Sequence, residues 1–391
     1  MSAPGHSYSG RAAAMTGPRH AEIAGAGFAG LTAACALAQR GWTVRVHERA
    51  EALRTTGAGI YIYENGLRVL EALGAYEAAV KGAPFAHTRE VRDDENRVVS
   101  VHKWTGIRVF SIVRQRVINA LAEAARTAGV EIVTGSAAAS ATPEGELVLA
   151  DGRRLKADLV VAADGSNSRI RDALGLTAKR KYLVDGAIRF LIDKTAEERA
   201  VTDIAETIEY WSGTRRVLYT PCSETDIYIA LTMLDTDTVG KTVPVNKAEW
   251  TRAFPHLEAL IGRLGDGGRY DRFEFIKLKR WSAGRVAVIG DAAHALPPNL
   301  GQGGGCAIMN AMSLAVYLDR HADIPTALAA WEKNERPLTD HTQRISYWLG
   351  LPTTWPPRLR ALTFALIGRS KWLVRQRSRT ALHRPTGTRG D

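Results

Sequence analysis

The 391-residue chain is poor in the features that mark a membrane protein, a metalloprotein or a disulfide-built one. No apolar run approaches the roughly 20 residues a membrane span needs. The first twenty residues lack the apolar core of a signal peptide and read as a flexible leader, with Met15 as an alternative start. Cysteine occurs three times, at positions 35, 222 and 306, an odd number without metal-ligand or redox spacing. Reduced thiols in a cytoplasmic protein are therefore expected, and no metal site. Acidic residues are scarce only at the end of the chain. Residues 358–391 hold nine Lys or Arg against one Asp, which is most of the net charge of +11. The body is close to neutral, so charge gives no reason to expect a nucleic-acid partner. The basic tail reads as a solvated helix face, with docking to a membrane or partner as the alternative.

What is present is an ordinary globular composition, 45% hydrophobic and 24% charged, long enough for two domains. The segment 21–24 reads as a short apolar strand. GAGFAG (25–30) follows, then an Ala/Leu-rich helix ended by Gly41, then the strand WTVRVH closed by Glu48. This is the start of a Rossmann-type βαβ unit. Gly25, Gly27 and Gly30 permit the tight turn, the approach of a pyrophosphate and close helix packing. Phe28 and Ala29 lie at the helix start, whose free N–H groups face the phosphates. Glu48 is placed to accept hydrogen bonds from the adenosine ribose.

A second signal lies some 260 residues later, in GDAAHALPPNLGQGGG (290–305), and a third in ADGSNSRIR (163–171). Asp164 and Asp291 each follow a buried strand. Asp291 suits a ribityl chain; Asp164 also fits a helix cap. The glycine-rich loop with Pro298, Gly301, Gly303 and Gly304 runs into a helix whose N-terminus would put positive potential beside a flavin ring. Together and in this order the three motifs indicate FAD. Residues 186–233 change character, to short strands with turns (GAIRFLI, ETIEYW, RRVLYTPC, DIYIALTM), and form a separate sheet.

These motifs resemble the group A flavin monooxygenases, the aromatic hydroxylase family, over roughly residues 20–345. The segments GAGIYIYENGLRVLEALGA, RRVLYTPCSETDIYIAL and QGGGCAIMNAMSL resemble more closely the branch that oxygenates 2-methyl-3-hydroxypyridine-5-carboxylate. Asn310, where many family members carry Asp, is a departure shared with that branch. The resemblance implies an α/β fold with a Rossmann-like FAD-binding domain (21–82, 105–182, 276–325) interleaved with an antiparallel or mixed β-sheet substrate domain (83–104, 183–275). C-terminal helices and the basic tail (326–391) follow. It implies that NADH or NADPH docks transiently to reduce FAD and that O2 adds at flavin C4a. The hydroperoxide then oxygenates a small anionic aromatic ring, hydroxylated and carboxylated. Ring opening of a 3-hydroxypyridine carboxylate is the first specific expectation. Hydroxylation of a hydroxybenzoate-type ring, simple or decarboxylative, is the alternative, and an FAD reductase that passes electrons without oxygenating is the second.

By the same resemblance Arg49, Arg54 and Arg114 complete the cofactor set, Arg114 by reaching flavin phosphates or ribityl oxygens. Arg189, Arg216 and Tyr228 would hold the substrate carboxylate and hydroxyl. Tyr61 would lie near the flavin, and Pro298 would face it. Sheet-edge ion pairs for the arginines, and core packing for the tyrosine, are the plain structural readings of the same residues. By strand alternation Tyr228 shares a face with Ala230, opposite Ile227 and Ile229. His87 stands where the branch has a tyrosine nearby, leaving the ring's identity open. A monomer or homodimer is expected.

Overall fold

The computed structural model describes residues 18–53, 59–200, 206–356, 358–360, 362–363, 366 and 370–388. Arg54 and most of the leader lie outside them. The chain has a mixed α/β architecture built on two large sheets, with helices at the C-terminal end.

The first sheet has six strands. Its four central neighbours are Val286–Val288, Leu159–Ala162, His20–Ala24 and Thr43–His47, all parallel; Glu131–Val133 extends the parallel run and Ser282–Ala283 closes the other edge antiparallel. These strands are short and nearly all apolar, as a parallel sheet covered on both faces requires. The helix Phe28–Ala38 leaves the first strand and packs against the helices Arg114–Thr127 and Gly303–Arg320. Ten of its residues are buried, most of them small, and this lets the three helices approach closely.

The second sheet has seven strands, in the order Tyr270–Leu278, Thr177–Asp193, Asp226–Leu234, Arg215–Pro221, Glu206–Ser212, Thr88–Arg92 and Val98–Lys103. All neighbours are antiparallel except Glu206–Ser212 with Thr88–Arg92. The alternation along Asp226–Leu234 is as the sequence implies. Ile227 and Ile229 enter a core with Trp250 and Phe254, while Tyr228 and Ala230 face the other way, against Val113 and Leu218.

The helix Ile324–Gly350 then crosses behind the loop 295–301. Gln343 Nε2 donates to the carbonyls of Ile276 (2.7 Å) and Ala295 (3.1 Å), and Ser346 Oγ donates to that of Pro297 (2.6 Å). Asn299 Nδ2 in turn donates to Ser346 O at 2.9 Å. Side chains and backbone 47 to 49 residues downstream thus hold the glycine-rich loop from outside.

Candidate active site

A cleft of about 360 Å³ lies where the helix starts of Phe28–Ala38 and Gly303–Arg320 meet the second sheet. Its wall includes Gly27, Phe28, Ala29, Arg114, Asp291, Gly301, Gly303 and Gly304. A smaller chamber of about 90 Å³ adjoins it, and Tyr61, Arg189, Tyr228, Pro298 and Gly301 line both spaces. Arg216 lines the inner chamber and not the cleft. Gly25 and Gly30 stand behind the cleft wall. A Cβ at Gly30 would lie 1.9 Å from Gly25 O, and one at Gly25, whose φ is +100°, would lie 2.4 Å from Ala163 O. At Gly27 a Cβ would meet nothing within 4 Å, so that side is open. Two glycines make the turn, and the third leaves room for a phosphate.

Polar groups around the cleft are oriented but incompletely used. Arg114 stacks on Phe28 at 4.8 Å, and its Nε is buried without a partner among the described residues. Burial holds its basicity below the usual range, against the pull of Asp291. The Asp291 carboxyl reaches the cleft, yet the surrounding protein raises it above the ordinary carboxylate range, and Arg114 opposes that shift. Asp164 accepts from Arg169 N (3.0 Å) with one oxygen, capping a short helix; the other is buried without a partner among the described residues. Burial raises this carboxyl too. Glu48 accepts from Ala26 N and Ala50 N, both at 3.0 Å, and Arg49 is exposed beside it. Open glycine backbone, two helix N-termini and orphaned polar atoms are what a dinucleotide with a flat ring needs.

The inner chamber is built from side chains. Arg89 Nη2 donates to Glu209 at 2.6 Å, Glu209 lies 3.5 Å from Arg216, and Arg216 Nη2 donates to Asp185 at 2.8 Å. Burial alone would raise the Glu209 carboxyl, but the charges of Arg89 and Arg216 hold it below the ordinary range. At Asp185 burial wins over Arg216 and the carboxyl is raised. Arg189 donates to Asp271 at 3.3 Å. Tyr61 donates to Thr207 (3.2 Å) and also bonds Thr220, and burial raises its phenol well above the usual value. Tyr63, Trp104 and Phe273 supply the aromatic wall.

His87 is exposed, its ring 4.6 Å from that of Phe85, and it lines neither space; Arg89, two residues on, takes the place in the wall. Asn310 is fully buried behind the cleft, donating to His294 Nε2 (3.1 Å) and Thr339 (3.0 Å). Sequence reading passed over Arg89, Asp185 and Glu209. Their one signal was charge inside strands: Arg89 in TREVR, Asp185 in LVDGAIRFLI and Glu209 in ETIEYW.

The FAD binding domain family model matches residues 20–323, most of the chain. The 2-heptyl-3-hydroxy-4(1H)-quinolone synthase of Mycobacteroides abscessus is 43% identical over 359 residues, 90% of this chain and 95% of that one. This chain belongs to the FAD-dependent monooxygenases. Among solved structures, the monooxygenase is similar to 2-methyl-3-hydroxypyridine-5-carboxylic acid oxygenase in its tetrameric form, with 38% identity and a TM-score of 0.85 over 95% of this chain and 98% of that one. More distantly it is similar to 6-hydroxynicotinate 3-monooxygenase of Bordetella bronchiseptica, at 26% identity over 86% of this chain and 93% of that one. An FAD-binding oxygenase of aromatic rings is thus the family-level assignment.

Proposed function

We propose that this monooxygenase hydroxylates a neutral nitrogen heteroaromatic ring of the 4(1H)-quinolone class at C3, consuming NADH or NADPH. Gly25, Gly27, Phe28, Ala29 and Gly30 would seat the FAD diphosphate, with Glu48 and Arg49 at the adenosine. Arg114, Asp164 and Asp291 would hold the phosphate and ribityl part, and Gly301, Gly303 and Gly304 the ring. Bound FAD supplies the chemistry that activates O2, one oxygen atom going to the ring and the other to water.

One observation carries the choice of ring. Each arginine in the chamber wall already holds a carboxylate: Arg89 with Glu209, Arg216 with Asp185 and Glu209, and Arg189 with Asp271. At Arg89 or Arg216 a substrate carboxylate would have to displace a partner and leave a buried charge behind. A quinolone brings one N–H and one carbonyl instead. Glu209 can accept the first and an arginine can donate to the second, without any change in net charge. Trp104, Tyr63 and Phe273 suit a flat bicyclic ring. Tyr228 and Pro298, which line both spaces, would hold the ring against the flavin and keep water out. The relative at 43% identity, named for a 3-hydroxylated quinolone product, supports the same reading.

The second reading is ring-opening oxygenation of a 3-hydroxypyridine carboxylate. Arg189 favours it, since its partner Asp271 is 3.3 Å away and partly exposed, making this the easiest pair to open. The FAD-loaded enzyme should be given 2-heptyl-4(1H)-quinolone or 2-methyl-3-hydroxypyridine-5-carboxylate under ¹⁸O₂, with NADH and then NADPH. One labelled oxygen in the quinolone, with matched reductant oxidation, is the expected result. Label only in an opened pyridine product selects the second reading. Reductant oxidation yielding peroxide alone with both rings removes both.

A further inference from the structure

The C-terminal segment is built inside out. Arg360 is only 6% exposed. It donates to Gly213 O at 2.7 Å, and its guanidinium lies 4.3 Å over the Trp211 ring. Leu359, Leu362 and Leu366, each described as helical, are 49%, 57% and 56% exposed. A helix that merely covers the protein would turn its leucines inward and its arginine out. Upstream, Trp348, Leu351 and Trp355 are also exposed, at 54%, 44% and 37%. Positions 359, 362 and 366 recur in steps of three and four, the period of a helical face, while Trp348, Leu351 and Trp355 lie at the end of the long helix and in the turn after it. Trp372, in the helix Lys371–Ser378, is 64% exposed.

Charge shares this segment, and within the segment it has one sign, with Asp94 of the neighbouring turn acting on Arg360. Arg344, Arg358, Lys371, Arg375 and Arg379 are exposed, and no Asp or Glu occurs from residue 341 to residue 390. Exposed Trp and Leu interleaved with Lys and Arg is the composition of a surface that lies in the headgroup region of a bilayer. No helix among the described residues is long and apolar enough to cross a membrane, so the contact would be peripheral. The surface also adjoins the active site. A cavity of about 140 Å³ is lined by Arg89, Glu209 and Arg216 of the chamber wall, and by Leu349 and the half-exposed Val101. Leu349 sits between the outward-facing Trp348 and Leu351.

We propose that this C-terminal face docks the enzyme on anionic lipid bilayers, apolar side chains entering the interface and basic ones meeting phosphate headgroups. The docking does not depend on which ring is oxidised. For an apolar ring, the cavity at Leu349 is then the side from which substrate leaves the lipid.

The full-length FAD-loaded enzyme should be sedimented with vesicles of phosphatidylcholine alone, or mixed with phosphatidylglycerol. Binding to the mixed vesicles, much weaker binding to neutral ones, and release by high salt are expected. The triple variant Arg358→Gln, Lys371→Gln, Arg375→Gln should keep its FAD and lose roughly 100-fold in partitioning to mixed vesicles. Leu359→Glu with Leu362→Glu should abolish binding; if that pair fails to fold, the glutamine variant carries the test. Equal indifference to both vesicle types overturns the proposal. So does a wild type that sediments as an oligomer which the glutamate pair dissociates, with no lipid effect, because the face is then a contact between copies of the chain.

Discussion

The cleft and the chamber share a wall but are made of different materials. Seven of the residues lining the cleft are glycines, and its polar character comes largely from backbone and helix ends. The chamber has a single glycine and is lined by three arginines, Glu209, three tyrosines, Trp104 and Phe273. Backbone recognition suits a cofactor that never changes, because it depends on the path of the chain. Side-chain recognition suits a substrate that differs between relatives, because one strand residue can change without moving the sheet. The two should therefore fail separately. Cleft variants should lose FAD, and chamber variants should keep FAD and lose the ring.

The largest separation is expected at Gly30. A methyl group there would sit 1.9 Å from Gly25 O, a contact only backbone movement can relieve. Gly30→Ala should emerge from gel filtration without the flavin absorbance at 450 nm, roughly the region where any bound flavin absorbs, whereas Tyr228→Phe should retain it. A Gly30→Ala protein that keeps stoichiometric FAD would break the comparison at its strongest point.

Next in size is Glu209→Gln. It removes the carboxylate between Arg89 and Arg216 and leaves two arginines of the chamber wall without their shared counter-charge. Losing one member of a fully buried pair costs about 3–5 kcal/mol, and the 28% exposure of Arg89 puts the loss here below that range. Urea unfolding should show that loss, and KM should rise for any ring that uses Glu209, with FAD content unchanged. Loss of FAD in this variant would mean that the chamber and cleft are a single unit.

The same contrast explains what could be read in advance. GAGFAG, Asp164 and the loop at Pro298–Gly304 are legible because a backbone site needs particular residues at fixed spacing in one stretch of chain. The row Arg89–Glu209–Arg216–Asp185 is not. Its members lie on four strands, and Arg89 reaches Glu209 only because Glu206–Ser212 pairs in parallel with Thr88–Arg92, a pairing no local pattern announces. His87, noted in the sequence as standing near a tyrosine of the related branch, is exposed and lines neither space, while Arg89 two residues on lines the chamber. The alternation that put Tyr228 on the inner face was visible, since it needs only its own strand.

Behind the cleft, His294 gives a pH-dependent version of the test. Its Nε2 accepts from the Asn310 amide at 3.1 Å, so the folded state needs a neutral imidazole there. Burial pushes its pKa down from 6.5 to about 4. The unfolded chain therefore takes up a proton near pH 6.5 while the folded one resists until near pH 4. Stability is full above this window and falls by about 3 kcal/mol as pH drops across it. The slope between pH 7 and 5 should flatten in His294→Gln. An unchanged slope would place the acid sensitivity elsewhere, with Glu209 the next candidate at lower pH.

The smallest effect concerns how the shared wall is held. Ser346 Oγ donates to Pro297 O at 2.6 Å, and Ser346 O accepts from Asn299, so one residue of the long C-terminal helix grips both ends of the turn that carries Pro298. Ser346→Ala keeps the second bond and removes the first, leaving a buried carbonyl short of a partner at a cost of about 1–2 kcal/mol. Pro298 touches cleft and chamber alike, so loosening it should blur the distinction between them. FAD should stay bound, because the glycine turn at 25–30 is untouched. Reductant oxidation should become less tightly coupled to ring oxygenation, with more peroxide released per turnover, because the wall that excludes water from the ring has lost a restraint. If coupling is unchanged while stability falls, the helix supports the fold of the loop but not its chemistry, and the wall is set by the sheet alone.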